Sequence, residues 1–87
     1  MKIIEKKKVS KRCTEFKFDN GAWVSVICAG GTDEGSWEYQ WDEDDDETYA
    51  EGGIWFEDME LVGYDGCYGL PEEVKMAVRE LGYEVNI

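Results

Sequence analysis

The chain has 87 residues, of which 43% are hydrophobic and 14% aromatic, and it carries a net charge of −12 at pH 7. A chain of that length makes one modest domain, burying about two-thirds of the surface its unfolded form exposes, and its apolar content excludes intrinsic disorder. No apolar run approaches the roughly 18 residues that span a bilayer, and "MKIIEKKKVSKRC" lacks the apolar segment and cleavage site of a secretory signal, so a soluble, cytoplasmic protein is expected.

Residues 1–12 hold six bases (Lys2, Lys6, Lys7, Lys8, Lys11, Arg12) against Glu5, a charge of +5. Residues 13–87 hold the other three bases and 20 acids, a charge of −17. Ordinary surfaces intersperse the two signs. The chain therefore reads as a single domain over residues 1–87, with a basic first strand or arm over 1–12 and an acidic α+β body over 13–87. Internal neutralisation at a sheet edge is the first expectation for the arm, since edge lysines also discourage aggregation.

"TEFKFDNGAWVSVIC" is a β-hairpin. Phe16 and Phe18 alternate with polar residues, and Trp23 to Cys28 is β-branched and apolar. Asn20-Gly21 suits a two-residue type I′ turn. A three-residue Asp19-Asn20-Gly21 loop with Gly21 left-handed fits as well, and the hydrophobic pattern favours it, because it sets Phe16 and Phe18 on the face of Val24, Val26 and Cys28. "SWEYQWD" alternates strictly, which predicts a half-buried strand with Trp37, Tyr39 and Trp41 inward and Glu38 and Gln40 outward. A loop of about ten residues through the acidic run is expected to end at Gly52-Gly53, followed by one strand, "IWFEDMELVGY", whose alternation slips near Glu57-Asp58.

"LPEEVKMAVRELG" predicts a helix. Pro71 suits its first turn, Glu72 and Glu73 complement the positive end of the dipole, Val74, Ala77, Val78 and Leu81 form one apolar stripe, and Gly82 caps the end. "YEVNI" closes as a short strand. The expected fold is α+β, an antiparallel sheet of four to five strands with one helix from the C-terminal half packed on one face.

The chemistry is narrow. Cys13, Cys28 and Cys67 are odd in number and widely spaced, which argues against a disulfide framework and for small buried hydrophobes. With no His, a Cys or Ser nucleophile lacks its usual base, and "CAGGTDEG" lacks the Lys of a phosphate loop, so no enzyme and no cofactor are expected. An EF-hand-like calcium loop starting at Asp42 matches with Asp44 and Asp46 but has Glu47 where Gly is needed and Gly53 where Glu is needed. That alternative, a calcium-binding or regulatory domain, predicts stoichiometric stabilisation by Ca²⁺ that Mg²⁺ does not reproduce. Direct nucleic-acid binding is opposed by the lack of any Lys or Arg from Phe18 to Val74.

What remains is the acid. Six acids run consecutively from Asp42 to Glu47. Asp33, Glu34 and Glu38 precede them, and Glu51, Glu57, Asp58 and Glu60 follow. Alternate residues on a strand face lie about 6.7 Å apart, so carboxylates on adjacent strands and their loop are expected to imitate a nucleic-acid backbone and meet a basic protein surface. The partner-binding set is Asp33, Glu34, Asp42, Glu43, Asp44, Asp45, Asp46, Glu47, Glu51, Glu57, Asp58 and Glu60.

In its small size, acidity, α+β pattern and lack of His, the whole chain resembles the small inhibitors that bacteriophages encode against host defences, such as anti-CRISPR proteins and anti-restriction DNA mimics. The resemblance implies occupation of a basic DNA-binding channel on a CRISPR effector or restriction enzyme. An immunity protein or antitoxin covering a basic nuclease is the neighbouring alternative.

Overall fold

The computed structural model describes residues 1–28, 34–42, 44, 46–57, 60–63 and 70–86, with residues 28, 34, 46, 57, 62 and 63 described by their backbone alone. The strands in chain order are β1 (Ile3–Lys8), β2 (Cys13–Phe18), β3 (Trp23–Cys28), β4 (Glu34–Gln40), β5 (Tyr49–Glu57) and β6 (Glu60–Gly63). Helix α1 (Glu72–Glu80) and the two-residue β7 (Glu84–Val85) follow. Their order in the sheet is their order in the chain. Neighbours pair antiparallel from β1 to β6, while β7 lies parallel to β6.

The fold is α+β as expected, but the sheet has seven strands, not four to five, and it is mixed, not antiparallel. Two physical reasons account for the difference. The "IWFEDMELVGY" stretch doubles back at the point where its alternation slips, so Glu57 pairs with Glu60 and one expected strand becomes two. The chain then places α1 between β6 and β7, and a strand that returns by a crossover of this kind pairs parallel. The acidic loop is also shorter than expected, because β5 begins at Tyr49 and runs through Gly52-Gly53. Gly52 stands directly opposite Trp37, and Gly35 opposite Ile54. A residue without a side chain facing a large one lets the ladder continue where the glycines alone suggest a break.

The β2–β3 turn is the three-residue form. The Phe18 N–H donates to the Ala22 carbonyl at 2.9 Å, Gly21 has φ +87°, and the Asn20 side-chain oxygen accepts from the Ala22 N–H at 3.0 Å. Register then sets Phe16 opposite Val24 and Thr14 opposite Val26, all of them buried. The Cys28 side chain and Cys67 lie outside the described residues. Cys13 is half-buried, not fully buried as expected, with its Sγ 3.2 Å from the Ser25 hydroxyl.

Helix α1 buries Val74, Ala77 and Val78 in the same cluster as Phe16, Val24, Val26, Trp37 and Leu61. It packs across β3 and β4 and against β7. Its end is a Schellman motif: Gly82, at φ +96°, donates to the Arg79 carbonyl at 2.9 Å, and the Tyr83 N–H reaches the Val78 carbonyl at 3.4 Å. Trp37 and Tyr39 are core residues as expected. Trp41 is not: it lies beyond the end of β4, 47% exposed, with its ring 5.4 Å from that of Tyr39. Among the described residues, no helix is long and apolar enough to cross a membrane.

Candidate protein-interaction face

Since the helix covers one face of the sheet, the alternate residues of β3, β4 and β5 form the other. The register aligns them in rows. Lys17, Trp23, Gln40 and Tyr49 make one row across β2 to β5; Glu15, Ser25, Glu38 and Glu51 make the next. At the near edge Glu5 pairs with Lys17 at 3.9 Å, and Lys7 stands opposite Glu15, so the charges of β1 and β2 alternate in sign on this face. From β3 to β5 the bases stop and only carboxylates remain.

Glu38 and Glu51 are direct cross-strand partners, and both are exposed. Like charges in that relation repel. The Tyr49 hydroxyl lies within their field: it donates to Glu51 Oε2 at 2.9 Å. Its pKa is pushed up to about 12, first by burial, then by the hydrogen bond to Glu51 and the negative charges of Glu38 and Glu51. The phenol thus stays protonated and serves as a donor between two acceptors.

The run between β4 and β5 has local order at both ends. Asp42 Oδ1 accepts from the Asp44 N–H at 3.0 Å, the self-limiting turn that Asp favours. The Thr48 hydroxyl, buried, reaches back to the Asp42 carbonyl at 3.2 Å. Between them Asp46–Thr48 forms a single 3₁₀ turn. Asp42, Asp44 and Glu47 are exposed.

Of the expected partner-binding residues, Glu34 opens β4 and Asp46 opens the 3₁₀ turn. Glu51 lies on the outer face of β5. Glu57 ends β5, in register with Glu60 on β6, which is in turn in register with Glu84 on β7. Asp33, Glu43, Asp45 and Asp58 lie outside the described residues. The structure adds Glu38, Glu15 and Glu84 and the Tyr49 hydroxyl. Alternation alone marks Glu38 as outward-facing, but its position opposite Glu51 follows only from the β4–β5 register. No group of three Cys, Asp or Glu residues suited to a metal ion occurs among the described residues.

The basic strand β1 lies at the edge of the sheet, separated from β4 and β5 by β2 and β3. Beyond the Glu5–Lys17 contact, Lys6 and Lys8 form no ion pair with the described acids. The expected internal neutralisation is therefore local to the outer face of β1 and β2, and the two signs of charge sit on different parts of the molecule.

Below the sheet a second tyrosine joins helix to strand. Tyr39 is buried, and its pKa is pushed up to about 12, first by that burial and then by the Glu73 carboxylate of α1, which accepts its hydrogen bond. A raised tyrosine pKa means the folded state holds the proton more tightly than the unfolded chain, so stability is intact below pH 10 and is lost as the pH rises from about 10 to 12. Tyr39→Phe is expected to cost about 1 kcal/mol at pH 8 by removing the bond to Glu73 and to flatten the alkaline decline. Urea midpoints of wild type and Tyr39→Phe at pH 8, 10 and 11.5 check both effects.

Comparison with known proteins finds no matching family, no matching curated protein and no matching solved structure.

Proposed function

We propose that the chain is a non-enzymatic acidic binding protein that occupies the basic nucleic-acid-binding surface of a nuclease or CRISPR effector and inhibits it, as a DNA mimic does. The observation that carries the reading is the order of acids along β5. The Asp42–Glu47 run precedes the strand, Glu51 with its partner Glu38 stands within it, and Glu57 ends it in register with Glu60 and Glu84. Nine extended residues cover about 30 Å, in a molecule whose longest extent is 35 Å, and that length matches roughly nine phosphate steps of one strand of a duplex. A groove that tracks a phosphate backbone with Lys and Arg is complementary to such a line. The basic edge at β1 gives the molecule a polarity that orients it on approach.

The test is cleavage of labelled duplex DNA by a purified basic nuclease or CRISPR effector in the presence of this protein, at 50 and 500 mM salt. Inhibition that weakens by about 100-fold at the higher salt and is relieved by excess unlabelled duplex is the expected result. Inhibition indifferent to both places the contact outside the channel, and no inhibition at any salt removes the reading.

A further inference from the structure

We infer that the outer face of β3–β5 is the surface that receives the partner, and that it selects arginine side chains over lysine. The inference rests on the proposed acidic-binding role and adds where on the molecule the contact lies and which residue it reads.

The opposite face of these strands is closed by α1 through Val74, Ala77 and Val78. The outer face has no described element packed across it, yet it carries large apolar side chains: Ile27, Tyr49 and Trp55 are 39%, 40% and 42% exposed, and Trp23 is half-buried beside them. Exposed aromatics gathered on one face mark an interaction surface more than a solubility device. Charge identifies the occupant. β3, β4 and β5 contain no Lys or Arg, and the centre of the face is the cross-strand pair Glu38 and Glu51.

Arginine fits that centre better than lysine for three reasons. A guanidinium presents a planar fork of donors, so two glutamates directly opposite each other on adjacent strands, with Cβ atoms about 5 Å apart, can bring carboxylates to its two sides. It is weakly hydrated, so bringing it against a partly apolar face costs less than burying an ammonium. It also stacks on aromatic rings, and Tyr49 lies on the same face one row from Glu51, about 6.7 Å along β5, with Trp23 in that same row. The Tyr49 hydroxyl already holds Glu51 at 2.9 Å, which fixes the rotamer of one of the two acceptors before anything binds.

The test titrates the full chain, at 150 mM salt, with two synthetic decapeptides that alternate serine with arginine or with lysine, read by tryptophan fluorescence and calorimetry. The expected result is at least fivefold tighter binding of the arginine peptide. Glu38→Gln with Glu51→Gln should weaken it tenfold or more and Trp55→Ala severalfold, while Glu72→Gln with Glu80→Gln, which removes the same charge from exposed positions of α1 on the other side of the sheet, should change it less than twofold. Equal affinity for the two peptides, or equal loss from the face and helix pairs, overturns the inference in favour of net charge alone. So does sedimentation as a dimer that must dissociate before peptide binds, since a second copy would then own the face. A chain that inhibits a nuclease but shows no preference for arginine loses this inference and keeps the proposed function; one that does neither loses both.

Discussion

Replacing Asp44, Asp45 and Asp46 together with lysine is expected to abolish inhibition while leaving the fold intact. Each exchange shifts the charge by two, so the net charge moves from −12 to −6. The mid-run reversal converts attraction into repulsion at the point where a basic channel would meet the densest acid. Like-charge juxtaposition across an interface costs several kcal/mol, so a loss of inhibitory potency of at least about 100-fold, roughly 2.7 kcal/mol, is a conservative expectation. The fold has little to lose. Asp44 is exposed, and the bond that shapes the turn runs from its backbone N–H to Asp42, not from its side chain. Surface exchanges of this kind usually stay within about 0.5 kcal/mol, and here they also relieve self-repulsion. Thermal unfolding and dose–response inhibition measured on the same preparation check the result. A variant that melts as the wild type does and inhibits undiminished moves the interface away from the run.

Gly35→Ala carries the largest expected loss of stability. Gly35 lies in β4 between Cys28 on one neighbour and Ile54 on the other. A Cβ placed there would sit 2.5 Å from the Ile27 carbonyl oxygen and 3.1 Å from both Ile54 Cγ1 and the Phe56 ring carbon Cε2. The first of these neighbours is backbone in the β3–β4 ladder, so it moves only by breaking that pairing, and the other two belong to the core and are buried. Overpacking of this kind costs about 2–4 kcal/mol, a large part of the roughly 5–10 kcal/mol expected for so small a domain. The corresponding fall in Tm is about 10–20 °C. Ser36→Ala, one residue along on the exposed face, is expected to change stability by less than about 0.5 kcal/mol. Urea unfolding of the two variants side by side separates a steric cost at one position from a general weakness of β4.

The elements most legible in the sequence are those whose stabilising interactions lie within a few residues of one another. The helix stripe of Val74, Ala77, Val78 and Leu81, its acidic first turn and its Gly82 cap form a complete local pattern, and they reappear in α1 with the cap bonds in place. The Asp19-Asn20-Gly21 turn was legible for the same reason, since one positive φ and two phenylalanines sharing a face admit few registers. Trp41 was misread because strict alternation does not say where a strand stops; β4 ends at Gln40, and the next side chain leans on Tyr39 from outside the core. Gln40 fell the other way, outward by alternation yet buried in the row between Trp23 and Tyr49.

The amino-acid sequence alone determined that this protein is acidic, that its bases gather near one end and that no base lies from Phe18 to Val74, because charge is a property of composition and order. It also determined the helix and the first hairpin, which are local. Only the tertiary structure decided which acids meet. Glu38 and Glu51 stand opposite each other, thirteen positions apart in the chain, because the β4–β5 register sets Trp37 against Gly52 and Tyr39 against Ala50 on the buried face, and every outward pair follows from that choice. It likewise decided that β5 continues through two glycines and that β7 returns parallel to β6, since both depend on partners supplied by distant segments. Long-range packing chooses the register, and the register places Glu38 beside Glu51.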